Sequence, residues 1–271
     1  MVTGAGLGFR RDMLDELEQF VTADFDFCEV APENWMRLGG KYAEYLAQVS
    51  AAKPMSTHGL SLSIGSPDKL DTEFVKEVGQ FLDTYNITHY TEHLSYCSAN
   101  GHMYDLMPIP FTEEAVRYVS NRIKQVQDIL ERQIAIENVS YYLAPGQEMS
   151  EIDFTRAILE EADCKLLFDV NNVYVNAINH KYDAKAFIRS MPTERILYGH
   201  IAGHYDEADD LKVDTHGADV KDDVWALLEF AYQCHGVFPT LLERDFNVPP
   251  MNELMLEVDR IKQIQLAAGG L

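Results

Sequence analysis

Histidine and carboxylate side chains recur along the chain, each near the end of a short apolar segment. Six consecutive segments carry one such residue each, namely His58, His93, Glu137, Asp169, His200 and Glu243. Imidazoles and carboxylates suit divalent zinc, iron or manganese, whereas copper(I) and iron–sulfur clusters prefer the thiolates that this set lacks. Three carboxylates offset about three positive charges, so a site with more than one ion is electrostatically reasonable.

A further pair of such residues lies in the segment V-D-T-H-G. Asp214 and His216 are two residues apart. In an extended segment their side chains emerge on one face and can bind the same ion. The pair therefore adds to the metal site that the six segments predict.

Three other polar residues are predicted to act beside these ligands. His204 could bind an ion, donate a proton or orient a ligand, because a histidine has a suitable unperturbed pKa for acid–base chemistry. Asn138 and Asn171 lie next to proposed ligands and are expected to hydrogen-bond carboxylates or substrate, since metal ligands need partners that orient them. These are the candidate catalytic residues, and a plain structural role in loops is the alternative for each.

The candidate residues fall in a regular alternation of short apolar strands and amphipathic helices. Strands are predicted over residues 4–9, 26–31, 55–60, 89–94, 134–139, 165–170, 196–201 and 240–245. Thr112 is expected to begin one helix and Gly236 to follow the end of another. Regular alternation without a Pro/Gly/Ser-rich linker implies one parallel sheet, and eight such strands can close into a barrel. We therefore predict an α/β fold, a (β/α)8 TIM barrel, as a single domain over residues 1–271.

The alternative fold is an open, doubly wound sheet. The segment GAGLGF would favour it, but its glycines do not match the dinucleotide motif G-x-G-x-x-G and lie within a strand. In a closed parallel barrel the active site is built at the carboxyl ends of the strands. The six ligand candidates would then all face one rim.

Composition excludes several classes of partner. The chain has 22 basic and 44 acidic side chains, a formal charge of −22, which disfavours nucleic acid and anionic membranes. No segment approaches the roughly 20 apolar residues of a membrane helix, and the N-terminus carries acids where a secretory signal would be apolar. The four cysteines form no C-x-x-C pair, as expected of reduced thiols. We expect a cytoplasmic protein.

The ordered motifs resemble those of a known family. They are T-H-G, T-E-H-L-S, I-E-N, F-D-V-N-N and G-H-I-A-G-H in the third to seventh strands, D-T-H-G beyond them and L-E-R-D in the eighth. The set is similar to that of the MbnB/TglH-type multinuclear iron enzymes, which belong to the xylose-isomerase-like barrels. The resemblance covers nearly the whole chain. It implies a TIM barrel with two or three iron ions, zinc or manganese being alternatives, that acts with a small partner protein on a ribosomally made peptide and uses dioxygen to rearrange cysteine residues.

The resemblance also implies how the ligands divide among the ions. One ion would lie among His58, His93 and Glu137, and a second among Glu137, Asp169, His200 and Glu243. A third would use Asp214 and His216, with Asn172 as a further candidate. Barrels of the endonuclease IV type have a histidine at the position of this asparagine. An amide is a neutral, weaker ligand, so the third ion is expected to be looser and more open to water or substrate.

Two other functions remain open from the residues. A hydrolase or isomerase of the endonuclease IV or sugar-isomerase type could use two ions and a bridging carboxylate to activate water without redox chemistry. A non-catalytic metal-binding subunit is the second alternative, and its sites would be closed and saturated by protein ligands.

Overall fold

Eight parallel strands form a closed barrel in a computed structural model of the chain, which describes residues 2–269. The strands are β1 (Ala5–Gly8), β2 (Phe27–Val30), β3 (Met55–His58), β4 (Tyr90–His93), β5 (Ala135–Glu137), β6 (Lys165–Asp169), β7 (Ile196–Ile201) and β8 (Thr240–Leu242). They follow one another around the barrel in chain order, and β8 pairs with β1 to close it. The predicted TIM barrel and its eight strands are confirmed.

Helices pack around the barrel. They are α1 (Leu17–Thr22), α2 (Lys41–Ala52), α3 (Thr72–Thr84), α4 (Glu113–Leu130), α5 (Glu151–Glu161), α6 (Val170–His180), α7 (Ala184–Ser190), α8 (Asp222–His235) and α9 (Met251–Gly269). The predicted start of α4 and the predicted end of α8 are confirmed. The Thr112 hydroxyl accepts a hydrogen bond from the Ala115 N–H at 3.1 Å before α4, and Gly236 follows α8 with φ +77°. Over residues 2–269, none of the helices combines the length and apolarity that crossing a membrane requires.

The inward-facing side chains of the strands form an apolar layer below an ionisable one. The apolar layer comprises Val2, Phe27, Ala135, Leu167, Tyr198 and Leu241. Two positions further along the same strands lie Glu29, Glu137, Asp169, His200 and Glu243. Side chains alternate across a strand, so each of these residues points inward one layer higher. Gly6 of β1 leaves room for the ring of Phe27, because a Cβ there would lie 2.6 Å from a ring carbon.

Two β-hairpins that were not predicted extend beyond the barrel. One pairs Ser95–Ser98 with His102–Pro108, and the other pairs Tyr205–Ala208 with Leu211–Val213. The acidic run at 205–210 is exposed throughout, and its first four residues form one strand of the second hairpin. The first hairpin carried a recognisable signal, since Asn-Gly is a favoured hairpin turn.

A buried carboxyl group in α5 predicts how stability depends on pH. Glu151 accepts hydrogen bonds from the Tyr141 hydroxyl at 3.1 Å and the Asn176 amide at 3.2 Å, and burial raises its pKa to about 7. The folded state therefore binds the proton more tightly than the unfolded chain does, so stability should fall as pH rises from about 4.5 through 7. Glu151→Gln should raise the free energy of unfolding at about pH 8 by up to about 3 kcal/mol and leave it nearly unchanged at about pH 4.5.

Urea unfolding of both proteins across this range measures the difference. Curves for wild type and variant that run parallel with pH would contradict the assignment.

Candidate metal centre

The first group of donor atoms lies at the carboxyl ends of β3, β4 and β5. Nε2 of His58 is 3.1 Å from Nε2 of His93, and Oε2 of Glu137 is 3.4 and 3.5 Å from these two nitrogens. Ligands at about 2.1 Å from a tetrahedral ion lie about 3.4 Å from one another. The three atoms are therefore spaced as ligands of a single ion.

The other oxygen of Glu137 faces a second group. Its Oε1 is 3.4 Å from Nδ1 of His200, and the same nitrogen is 2.8 Å from Oε2 of Glu243 and 4.0 Å from Oδ2 of Asp169. All four side chains are buried. One carboxylate therefore faces two donor groups with separate oxygens, which is the arrangement of a bridging ligand.

Hydrogen bonds on the outer side of two imidazoles leave the inward nitrogen free. His93 donates from Nδ1 to the carbonyl oxygen of Gly59 at 3.0 Å, and Nε2 of His200 lies 3.0 Å from Oε2 of Glu29. Partners of this kind fix the tautomer of metal-binding histidines. Gly59 also leaves room for the buried Glu92 side chain, because a Cβ at position 59 would lie 2.2 Å from Oε1 of Glu92.

The third imidazole is fixed by a threonine. The hydroxyl of Thr91 donates to the carbonyl oxygen of Thr57 at 3.2 Å, so it accepts from Nδ1 of His58 at 2.7 Å. Nε2 of a neutral His58 then carries a lone pair toward His93 and Glu137. These partners therefore set the tautomer that each histidine takes in its neutral, metal-binding form.

His216 brings a third group to the centre from the loop after the second hairpin. Its Nε2 is 2.7 Å from Oδ1 of Asp214, and its Nδ1 is 3.0 Å from Oε2 of Glu243 and 3.5 Å from Oδ2 of Asp245. The structure brings the predicted pair together and adds Asp245, which was not predicted. Oδ1 of Asn172 is buried beside the same cavity.

Five buried atoms of this cluster have no hydrogen-bond partner within residues 2–269. They are Glu137 Oε1, Asp169 Oδ2, Asn172 Oδ1, His200 Nδ1 and His216 Nε2. The two imidazole nitrogens lie 2.8 Å from Oε2 of Glu243 and 2.7 Å from Oδ1 of Asp214, but not in the direction of a hydrogen bond. A buried polar atom without a partner costs free energy. Cations bound between these atoms would satisfy them, so the donor set fits divalent metal ions.

When no ion is bound, protons on the clustered side chains offset the negative charge of the carboxylates. Burial opposes protonation of His58, but the Glu137 carboxylate raises its pKa to about 9. Neighbouring carboxylates likewise outweigh burial and raise the pKa of His200 and His216 well above the usual value. Burial raises the pKa of Asp169. A metal ion must displace these protons, so metal affinity should increase with pH.

Arg10 and Glu29 also contact the centre and were not predicted. Arg10 donates from Nη2 to Oε1 of Glu243 at 2.9 Å and from Nε to Oδ1 of Asp245 at 2.8 Å. Each of these carboxylates therefore pairs one oxygen with Arg10 and turns the other toward His216.

Two features of the sequence could have identified Asp245 and Glu29 as residues of the centre. Asp245 stands two residues after Glu243 in L-E-R-D, the same spacing that identified Asp214 and His216. Glu29 is an acid between apolar residues, in the segment F-C-E-V of the second strand.

Two of the predicted catalytic residues, Asn138 and Asn171, contact the ligands from outside the cavity, and His204 contacts Asn171. Asn138 donates to the carbonyl oxygen of Asp169 at 2.8 Å and accepts from its N–H at 3.0 Å. Asn171 donates to Asp214 at 3.0 Å, and His204 lies 2.7 Å from Asn171. These contacts suit residues that orient ligands, and a direct catalytic role stays a prediction.

A cavity of about 430 Å³ opens onto the donor atoms. Among its lining residues are the ligand candidates His58, His93, Glu137, Asn172, Asp214, His216 and Glu243. Leu60, Leu106 and Phe246 add apolar surface to its wall. A substrate in this cavity would touch both the proposed ions and an apolar rim.

The fold and the site together define a TIM barrel with a candidate metal centre at the carboxyl ends of its strands. A D-tagatose 3-epimerase-like protein has the same fold, with a TM-score of 0.66, 13% identity and 98% of each chain covered. A xylose isomerase-like TIM barrel protein from Mycobacterium smegmatis, solved in complex with magnesium, has a TM-score of 0.64 and 12% identity, with 99% of this chain and 97% of that chain covered.

The chain belongs to the MbnB/TglH/ChrH family of RiPP precursor modification enzymes, which it matches over residues 4–266. It is 63% identical over 263 residues to a UPF0276 protein of Shewanella loihica, covering 97% of this chain and 95% of the relative. A UPF0276 protein of Pseudomonas aeruginosa is 51% identical over 268 residues, covering 99% of this chain and 94% of the relative. The family predicted from the motifs is confirmed.

Proposed function

We propose that this chain is a multinuclear iron enzyme that uses dioxygen to modify cysteine residues of a ribosomally made peptide, acting with a small partner protein. The observation that carries the proposal is the placement of Glu137, whose two oxygens each face a separate group of buried donors. Family membership supplies the substrate class. Bound iron would supply coordination positions for a cysteine thiolate and electrons for dioxygen.

The rim of the cavity suits a peptide. Leu60, Leu106 and Phe246 line the cavity and are 42%, 39% and 65% exposed. They belong to three separate segments, which follow β3, β4 and β8. A peptide that places a cysteine at the floor of the cavity could bury its neighbouring side chains against this rim.

An open strand edge supports the same substrate. His102–Pro108 pairs with Ser95–Ser98 on one side, and its other edge has no strand beside it within residues 2–269. Extended peptides bind such edges through main-chain hydrogen bonds. Leu106 lies on this strand and also lines the cavity, so a peptide along the edge would reach the proposed ions.

The rim predicts a selective effect on substrate binding. Phe246→Ala should raise KM for the peptide about 10- to 100-fold and leave kcat nearly unchanged, because it removes about 1.5–3 kcal/mol of apolar contact away from the reacting atoms. Steady-state kinetics measures both constants. Leu256→Ala is the matched control, since Leu256 is 70% exposed on α9 and does not line the cavity. A fall in kcat at constant KM would contradict this role.

A nuclease and a purely structural metal site have less support from the cavity. A phosphate-rich substrate needs several cationic side chains. Arg10 is the sole lysine or arginine among the lining residues described here, and it is paired with two carboxylates. A purely structural metal site would be enclosed by protein, whereas this cavity opens onto the donor atoms.

The experiment that tests the function uses reading frames adjacent to this gene on the chromosome. A short cysteine-containing peptide and a small companion protein encoded there would be incubated with the iron-loaded chain and then exposed to dioxygen. We expect a mass change confined to cysteine-containing fragments and absent with Glu137→Gln. An unchanged peptide in the presence of the companion protein and two bound irons would contradict the proposal.

A further inference from the structure

Asp214 is held by side chains that lie outside the cavity. Its Oδ1 accepts from Nδ2 of Asn171 at 3.0 Å, and Oδ1 of Asn171 lies 2.7 Å from Nδ1 of His204. The hydroxyl of Ser140 donates to the other carboxylate oxygen at 2.8 Å, and the main-chain N–H of Asp214 donates to the Tyr142 hydroxyl at 2.9 Å. The carboxylate is therefore restrained at both oxygens.

Chemistry fixes the direction of each hydrogen bond in this chain of contacts. An ionised carboxylate only accepts, so Asn171 must present its NH₂ group to Asp214 and its oxygen to His204. His204 must then carry a proton on Nδ1. Burial, followed by the charge of Lys221, lowers the pKa of His204 to about 4, which favours the neutral ring. Its Nε2 lies 3.5 Å from Oδ1 of Asp206 and makes no hydrogen bond within residues 2–269.

His204 is placed to select one of two orientations of the amide. An asparagine amide rotated by 180° has nearly the same shape, but it would turn its oxygen toward the Asp214 carboxylate. The Asp214 carboxylate and an Nδ1–H donor on His204 therefore favour the same orientation of the amide, and loss of the donor would remove one of these two restraints. The imidazole itself is fixed, because it is 1% exposed and stacks on the ring of Tyr174 with centroids 5.1 Å apart.

We infer that Asn171 and His204 are positioning residues for the third cation site and control whether that site is occupied. They act through Asp214, whose Oδ1 lies 2.7 Å from Nε2 of His216. Rotation of the Asp214 carboxylate would separate these two donors. The inference rests on the proposed metal centre and extends it to residues that touch neither ion nor substrate.

A matched pair of variants at position 204 tests the inference. His204→Phe keeps an aromatic ring against Tyr174 but removes the donor, whereas His204→Asn restores a donor near the position of Nδ1. Iron(II) alone is the probe, in anaerobic equilibrium dialysis of the full chain, and the visible spectrum of the cobalt(II)-loaded protein reports the geometry of the third ion. We expect His204→Phe and Asn171→Leu to weaken the third ion about 10- to 100-fold and leave the first two unchanged. His204→Asn should recover most of the third-ion affinity.

The outcomes separate this inference from the proposed centre. Wild-type affinity for all three ions in both His204→Phe and Asn171→Leu would overturn it, as would an equal loss of all three. Wild-type protein that binds two ions but no third would overturn the inference alone. Wild-type protein that binds none would overturn the proposed centre as well.

Discussion

Glu137→Gln is expected to abolish binding at the first two cation sites together. Glu137 is shared by both donor groups, with Oε2 3.4 and 3.5 Å from the nitrogens of His58 and His93 and Oε1 3.4 Å from Nδ1 of His200. Glutamine has the same size but no charge, and it offers one acceptor oxygen instead of two. Loss of a residue that merely orients a ligand costs about 10- to 100-fold in metal affinity, so loss of a bridging ligand should cost more.

Elemental analysis of anaerobically purified protein measures this effect, and activity on the peptide should fall below detection in parallel. Glu151→Gln is the matched control, because it neutralises a buried glutamate outside the donor groups and should retain the wild-type metal content. A Glu137→Gln protein that still holds two ions would show that the carboxylate does not bridge.

Removal of the ions is expected to destabilise the fold strongly. An ion at a thousandfold excess over its Kd stabilises the folded state by about 4 kcal/mol. For a chain of this size, each kcal/mol shifts the melting temperature by about 2–4 °C, so chelation should lower Tm by about 10 °C or more. The physical reason is that chelation leaves buried carboxylates and imidazoles without the cations that satisfy them.

The fall in Tm that chelation causes should grow with pH. In the metal-free protein, the proton on His58 stabilises the fold. This contribution is complete below about pH 6.5 and disappears as pH rises through about 9, the pKa of His58 in the folded state. Bound ions need no such protons, so the gap in Tm between the two forms should widen between about pH 6.5 and 9. Thermal unfolding with and without chelator measures it. Equal Tm values throughout this range would contradict the metal centre.

The ligands on the strands were predictable because the barrel repeats one local rule. In each of β5, β6 and β7 and at the end of β8, an ionisable residue stands two positions after an inward apolar residue. Alternation along a strand and the common direction of parallel strands are sufficient to bring Glu137, Asp169, His200 and Glu243 to one rim. Neither requirement involves contacts that are distant in sequence.

Contacts between distant segments were not predictable in the same way. Arg10 reaches Glu243 across 233 positions of sequence, and this contact exists because β1 lies beside β8 in the closed barrel. Asn171 and His204 were recognised as polar candidates, but their partners depend on how α6 packs against the second hairpin. Residue type predicts which groups can hydrogen-bond, whereas the fold decides which of them meet.

The metal content of the wild-type chain tests the central claim most directly. The protein would be purified without oxygen from iron-replete cells, and its transition metals would be counted per chain. We predict at least two ions per chain, corresponding to the two groups that share Glu137, with a third held more weakly. Less than one ion per chain under these conditions would contradict the account.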